Sequence, residues 1–293
     1  MKTVRLPYVE RGDPNGTPVL LLHGITDSQR SWEPVLPLLP ESIRAIAVTM
    51  RGHGNAGRPD SGYRAEDYAA DAIELLDQLG LESAVVCGHS LGTYVAAQMA
   101  IEQPQRVNGL VLEGAPGTPA ENPVLAEVAA AAAELDDPID PSFVREFQAS
   151  TTERPLAPGL LDMFIEESLR LPARTWRAAF ADLMRIDLSE RLGDIGAPTL
   201  LLHGEQDAIV TSSEQSRLLA RLPNARLVSF EGTGHAPHWE RPERYAIELA
   251  TFAAGAYASR GTTAAPREAP ALAATTNRIA TISRASSPSS SRT

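Results

Sequence analysis

Short apolar segments bounded by turn residues alternate with longer segments of helical pattern along much of the chain. Helical patterns occupy residues 65–79, 91–101 and 214–222. Alternation of buried strands with helices predicts an α/β fold with a doubly wound, mostly parallel sheet. The apolar segments predict strands buried on both faces at 18–22, 43–48, 84–87, 110–112, 199–202 and 226–230.

This alternation is interrupted between residues 115 and 191, and it ends near residue 258. The interrupted region contains four helical patterns separated by prolines, which predict a helical cap inserted into the sheet. The segment after residue 258 is rich in Ala, Ser, Thr, Pro and Arg and has almost no large apolar residue, so we expect it to be disordered. The predicted organisation is a core of residues 1–114 and 192–258, a cap of residues 115–191 and a disordered tail of residues 259–293.

Charge and cysteine content narrow the possible partners and sites. With 26 Lys and Arg against 37 Asp and Glu, the formal net charge is −11, so we expect nucleic acid to be repelled. Cys87 is the only cysteine, which excludes an intramolecular disulfide and fits a small buried filler in a reducing compartment. We find no secretory signal and no apolar run approaching 18 residues, and therefore expect a cytoplasmic protein without a membrane partner.

The sequence GHSLG at residues 88–92 is the most informative motif. It directly follows a predicted strand and directly precedes a predicted helix, which is the context of a nucleophile elbow. A nucleophilic serine there projects from a turn so tight that a Cβ at either flanking glycine would clash with neighbouring backbone. The N-terminus of the following helix favours an oxyanion at the same place. We therefore predict that Ser90 is a catalytic nucleophile.

A serine hydroxyl becomes a good nucleophile when an adjacent base, itself oriented by an acid, removes its proton. Asp207 and His235 each follow a predicted strand, so both should lie at the edge of the sheet where Ser90 emerges. The order Ser, acid, His predicts a triad of these three residues. Glu113 also ends a strand and is an alternative acid, although we expect it to serve the structure or to contact substrate.

The other five histidines are predicted to support the framework. His23, His53, His89 and His203 stand beside turn glycines, where hydrogen-bonded structural histidines are common, and His238 is predicted to cap the final helix. The histidines occupy separate loops without the spacing of metal ligands or a set of cysteine partners. The sequence therefore predicts no metal and no other cofactor.

Over residues 3–256 the chain resembles the cap-bearing serine hydrolases of the α/β-hydrolase superfamily. The resemblance rests on the triad candidates, on HG at residues 23–24 as the oxyanion loop, and on RGHG at residues 51–54 as the next loop. It implies that the backbone N–H groups of Ile25 and Leu91 form the oxyanion hole. Many members carry an acidic residue where this chain has Thr49, which suggests a differently braced loop.

We therefore expect hydrolysis of a carboxylic ester, a lactone or a related acyl bond through an acyl-enzyme on Ser90, by a monomer or homodimer. A serine rather than an aspartate at the elbow argues against haloalkane dehalogenase and epoxide hydrolase chemistry. A carbon–carbon bond hydrolase, a cofactor-free perhydrolase and a ligand receptor of the same fold are the alternatives. We expect a small apolar substrate in a pocket lined by Trp32, Met163, Phe164, Trp176, Phe180, Leu183 and Ile209.

Overall fold

The computed structural model describes residues 3–115 and 117–261. In that part of the chain seven strands form one sheet in the order β1-β3-β2-β4-β5-β6-β7, in which β1 is antiparallel to β3 and every other pair is parallel. This arrangement confirms the predicted fold class. The strands are β1 (Tyr8–Arg11), β2 (Thr17–Leu22), β3 (Ile43–Val48), β4 (Ala84–His89), β5 (Val107–Glu113), β6 (Thr199–Gly204) and β7 (Ala225–Phe230).

Alternating side chains of the central strands pack into two separate apolar layers, because successive residues of a strand point to opposite faces of the sheet. On one face, Leu20 and Leu22 of β2 pack in the layer that also receives the helices after β3 and β4. On the other face, Val19 and Leu21 pack with the C-terminal helix. Burial on both faces explains why these strands have continuous apolar sequences.

The sequence did not predict β1, whose four residues are all exposed. An edge strand paired on one side only has no need of the apolar run that identifies a central strand. The helices of the core are α1 (Ala65–Gln78), α2 (Leu91–Glu102), α7 (Ser212–Arg221), α8 (Pro237–Glu240) and α9 (Pro242–Gly261). Helix α9 continues three residues into the segment predicted as a tail, and residues 262–293 lie outside the described part of the chain.

Four helices lie between β5 and β6, in the region predicted as a cap, and we call this region (residues 115–191) the helical insertion. Its first two helices begin at side-chain caps, since Asn122 accepts a hydrogen bond from the N–H of Leu125 and Asp140 accepts one from that of Ser142. None of the described helices is long and apolar enough to cross a membrane. The helices of the insertion are α3 (Pro123–Ala133), α4 (Pro141–Ala149), α5 (Leu160–Leu169) and α6 (Ala173–Leu183).

Candidate active site

Ser90 lies at a sharp turn between β4 and α2, with backbone angles φ 50° and ψ −113°. A serine adopts a positive φ only at a cost, and such strain is common at functional sites. The turn depends on its glycines: a Cβ on Gly88 would lie 2.2 Å from the carbonyl oxygen of Gly92, and a Cβ on Gly92 would lie 2.4 Å from that of Leu22. The tight backbone predicted from the GHSLG sequence is therefore present.

Two backbone N–H groups near Ser90 are available to bind an oxyanion. Leu91 is the first residue of α2, and Ile25 follows β2 in the neighbouring loop. Within the described residues neither N–H donates a hydrogen bond, although both residues are buried. Buried N–H groups normally have an acceptor, so this pair fits a site that binds one from a substrate.

Asp207 and His235 form a buried pair at the ends of β6 and β7. The imidazole Nδ1–H donates to Oδ2 of Asp207 at 2.8 Å, while Oδ1 accepts from the backbone N–H groups of Ile209 at 2.8 Å and Val210 at 2.9 Å. These bonds fix both the carboxylate and the imidazole ring. Nε2 of His235 has no hydrogen-bond partner in the described chain, and His235 borders the same cavity as Ser90.

The electrostatics of this pair favour an ionised acid next to a basic imidazole. Burial acts to raise the pKa of Asp207, but His235 and the two backbone N–H groups outweigh it and hold that pKa below its usual value of 3.8. Burial likewise acts to lower the pKa of His235, yet the Asp207 carboxylate raises it above 6.5. His235 can therefore both accept and return a proton near neutral pH.

Glu113 lies at the end of β5 but does not contact His235 by a hydrogen bond. One of its carboxylate oxygens accepts from the backbone N–H of His238 at 3.0 Å and from Nδ1–H of the same residue at 2.8 Å. The Nε2 atom of His238 is 3.0 Å from Oγ of Ser31, which donates to it. The prediction that His238 caps the final helix is wrong. His238 belongs to α8, and its completely buried ring is bonded to Glu113 and Ser31.

The remaining histidines are held by framework hydrogen bonds, as predicted. Nδ1 of His23 bonds to the Gly24 carbonyl and Nδ1 of His53 to the Arg51 carbonyl, both at 2.7 Å. His203 bonds to a serine hydroxyl, and Nε2–H of His89 donates to the carbonyl of His235 at 3.2 Å. No group of described residues could hold a metal ion.

A cavity of about 50 Å³ lies between the strand ends and the helical insertion. Three of the residues predicted to line the pocket do so, namely Phe180, Leu183 and Ile209. A larger cleft of about 290 Å³ shares Tyr94 with this cavity, but neither Ser90 nor His235 borders it. The cavity that contains the chemistry is bordered by Gly24, Ile25, Asp27, His89, Ser90, Tyr94, Val124, Leu125, Val128, Phe147, Gln148, Ser150, Thr151, Phe180, Leu183, Ile209, His235 and Trp239.

The other four predicted pocket residues lie elsewhere. Trp32 is completely buried below the site, with its ring 4.6 Å from that of His238. Phe164 stacks on Trp239 at 3.9 Å, and Met163 belongs to the same small apolar cluster. Trp176 packs inside the insertion, where its indole N–H donates to the Ser168 carbonyl.

Sequence reasoning missed the apolar side of the cavity that α3 provides. Val124, Leu125 and Val128 border the cavity, and their spacing of one and three residues is that of one helical face. The periodicity was visible in the sequence. Which of the insertion's apolar faces meets the cavity, however, depends on how its four helices pack together.

Comparison with known proteins agrees with the observed fold. A family model described as the alpha/beta hydrolase family matches residues 19–249. The chain belongs to the alpha/beta hydrolase family. A non-heme chloroperoxidase of Streptomyces lividans is 30% identical over 264 residues, which cover 84% of this chain and 94% of that protein.

Solved structures of the same fold include esterases. A thermophilic esterase from Thermogutta terrifontis has a TM-score of 0.78 and 26% identity, over 86% of this chain and 94% of that one. Est816, described as an N-acyl homoserine lactone degrading enzyme, has a TM-score of 0.72 and 27% identity, over 85% and 97% of the two chains. The relatives of this alpha/beta hydrolase thus include proteins described as acting on esters and lactones.

In this alpha/beta hydrolase a buried polar network joins the loop after β2 to the helical insertion. Nε2 of Gln148 in α4 donates to Oδ1 of Asp27 at 3.1 Å and to Oγ of Ser168 at 2.8 Å. The Ser168 hydroxyl lies 3.0 Å from that of Thr26, a residue with a positive φ of 70°. The loop that carries the Ile25 N–H is therefore fixed from above by α4 and α5.

The loop at residues 51–54 is braced by an ion pair in the absence of an acidic residue at position 49. Both Nε and Nη2 of Arg51 lie 2.6 Å from the Asp71 carboxylate of α1, and the pair is almost fully buried. Thr49 accepts a hydrogen bond from the N–H of Gln29 at 3.1 Å. These contacts fit the expectation of a differently braced loop.

Proposed function

We propose that this protein hydrolyses small carboxylic esters or lactones through an acyl-enzyme on Ser90. The proposal rests above all on one observation: the Asp207–His235 pair is fixed, its Nε2 has no partner among the described residues, and His235 borders the same cavity as Ser90. A base held by an acid beside a strained serine is the arrangement required for nucleophilic acyl transfer. No step of this chemistry calls for a metal or an organic cofactor.

In the proposed reaction Ser90 Oγ attacks the carbonyl carbon while Nε2 of His235 takes the hydroxyl proton. Asp207 orients the imidazole and stabilises its positive charge. The N–H groups of Ile25 and Leu91 stabilise the tetrahedral oxyanion, each by about 3 kcal/mol. The protonated imidazole then delivers its proton to the leaving alkoxide, and water repeats the sequence on the acyl-enzyme to release the acid.

The size and lining of the cavity support a small substrate. Apolar side chains of α3 and α6 line the cavity, whose volume is about 50 Å³, so a short apolar acyl group or a lactone ring fits it better than a polymer. The similarity to Est816 supports lactones among the candidates.

A perhydrolase is the second candidate, because of the similarity to the Streptomyces chloroperoxidase. In that reaction hydrogen peroxide replaces water in the attack on the same acyl-enzyme, and a peracid leaves instead of the acid. The residues and their roles are otherwise unchanged.

A substrate panel tests both candidates. Purified protein is assayed for multiple turnovers on p-nitrophenyl esters of two to eight carbons and on γ-lactones, and for peracid formation from short carboxylic acids and peroxide. We expect sustained hydrolysis that the Ser90→Ala variant lacks. Release of only one equivalent of product would instead support a receptor, and activity that survives in Ser90→Ala would contradict the nucleophile assignment.

A further inference from the structure

Asp27 is a buried carboxyl group in the cavity with no place in the proposed chemistry. It is 3% exposed, lies two residues after Ile25 and borders the cavity with Ser90 and His235. Its Oδ1 accepts a hydrogen bond from Gln148, whereas Oδ2 accepts none from the described residues. No arginine or lysine of the described chain forms an ion pair with it. A carboxyl group without a cation in such a place is costly unless something else binds it.

Gln148, which borders the cavity beside Asp27, has a second unpartnered acceptor, its amide oxygen Oε1. The residue is 1% exposed and borders the cavity, and its Oε1 is buried without a partner among the described residues. Its Nε2 is occupied by Asp27 and Ser168, so the amide oxygen is the atom left over. Two residues that each have an unpartnered acceptor therefore border a cavity whose other walls are largely apolar. Buried acceptors in this state fit a ligand that brings a donor.

The ionisation of Asp27 is compatible with such a ligand. Burial raises the pKa of Asp27 to about 7, against the opposing effects of the Gln148 hydrogen bond and of His235, and Glu167 raises it further. The carboxylate therefore forms near neutral pH, where a hydrogen bond from a ligand compensates for its lost hydration.

We infer that Asp27 and Gln148 form a polar subsite that binds a hydroxyl or amide N–H of the substrate close to the scissile carbonyl. The position follows from the loop: Asp27 is two residues from the Ile25 N–H, and its Oδ2 lies 3.0 Å from where a Cβ on Gly24 would stand. The substrate class is thus a short ester or lactone that is apolar except for one hydrogen-bond donor. This inference rests on the proposed function for the identity of the carbonyl.

Binding to the Ser90→Ala protein tests the subsite without depending on turnover. Two pairs of ligands of matched shape are titrated by ligand-observed NMR: methyl lactate against methyl isobutyrate, with the donor on the acyl side, and 2-hydroxyethyl isobutyrate against propyl isobutyrate, with the donor on the alcohol side. We expect the donor-bearing member of at least one pair to bind about 10- to 100-fold more tightly, as for a hydrogen bond to a charged group.

Variants then assign the preference to Asp27. In the Ser90→Ala background, Asp27→Asn should reduce the preference to a few-fold, because a neutral acceptor of the same size remains, and Asp27→Ala should abolish it. Glu167→Gln is the matched control, since it also removes a buried carboxylate near Asp27 but one that pairs with Arg30 and Arg170 and does not border the cavity. It should keep the full preference.

Equal binding of both members of both pairs, or binding of neither, overturns the subsite. A preference that survives in both Asp27 variants overturns it as well, since the donor is then bound elsewhere. Hydrolysis of methyl isobutyrate by the wild-type protein is measured separately and tests the proposed function. If the binding preference is present but no ester or lactone is hydrolysed, the proposed function fails and the subsite stands.

Discussion

Two buried pairs of a carboxylate and an imidazole lie side by side in this molecule. In both Asp207–His235 and Glu113–His238, Nδ1 is 2.8 Å from a carboxylate oxygen. The centroids of the two imidazole rings lie 5.0 and 4.7 Å from that of the His89 ring. The two pairs differ in the hydrogen-bond partner of the second ring nitrogen, Nε2. Nε2 of His235 has no partner among the described residues and its ring borders the cavity, whereas Nε2 of His238 is bonded to Ser31.

The protonation of the two pairs differs accordingly. Burial lowers the pKa of His238 well below 6.5, and the neighbouring His235 lowers it further. Burial also raises the pKa of Glu113 to about 7, whereas that of Asp207 stays below its usual value. The same contact thus holds an imidazole that we propose as the proton acceptor in one pair, and it is a structural hydrogen bond in the other. The hydrogen-bond partners around each pair decide between the two roles.

The largest expected difference between the two pairs is seen when each histidine is replaced by alanine. We expect His235→Ala to lower kcat by at least about 10⁴-fold, because the general base is lost. Its melting temperature should fall about as much as that of His238→Ala, since Asp207 also loses a buried partner. His238→Ala should keep kcat within about tenfold but destabilise the protein by about 1–3 kcal/mol, since Glu113 and Ser31 lose a buried partner. Ester hydrolysis and thermal denaturation measure the two effects. Equal loss of activity in both variants, with His238→Ala still stably folded, would show that the pairs are not distinct.

The two acids provide the next test. Asp207→Asn should lower kcat by about 10³- to 10⁴-fold, because an amide donates to the imidazole and favours the wrong tautomer. Glu113→Gln keeps a side-chain oxygen to accept from His238 and should change kcat by less than about tenfold. Steady-state kinetics on one ester are sufficient to compare them. A larger loss in Glu113→Gln than in Asp207→Asn would reverse the assignment of the acid.

The sequence favours Asp207 as the acid but leaves Glu113 open as an alternative. Each follows a predicted strand, and parallel strands bring both to the same edge of the sheet. Glu113 is the last residue of β5 and reaches α8, whereas Asp207 stands three residues beyond β6 in a loop that turns it toward His235. That turn depends on loop geometry, which strand periodicity does not encode.

The pocket was harder to predict than the triad candidates, for a related reason. Ser90 and His235 are positioned by their own strands, so local sequence is enough to place them. Trp176 and Phe180 stand one helical turn apart on α6, yet only Phe180 borders the cavity. Packing between the helices of the insertion decides which of the two residues borders the cavity, and that packing involves residues distant in sequence.

The pH dependence of the reaction sharpens the comparison further. His235 must be neutral to accept a proton, so kcat/KM should rise about tenfold per pH unit below its pKa. Burial disfavours the charged ring but Asp207 outweighs it, so the midpoint of this rise should lie above 6.5. In Asp207→Asn the midpoint should move to lower pH, because burial then acts without the carboxylate. Glu113→Gln should move it less, and equal shifts in the two variants would contradict the separate roles.

The smallest expected effect concerns the two serines Ser90 and Ser31. Ser90 holds φ 50°, a strain that alanine shares and glycine does not, whereas Ser31 lies in a regular 3₁₀ turn, Gln29–Trp32. Ser90→Gly should therefore have a free energy of unfolding about 1 kcal/mol higher than Ser90→Ala, although both are inactive. At Ser31 the sign should reverse, because glycine there only adds freedom to the unfolded chain. Urea denaturation of the four variants measures both differences. If glycine fails to exceed alanine at position 90, the turn stores no strain, and the elbow's conformation is then set by its surroundings at no cost to Ser90 itself.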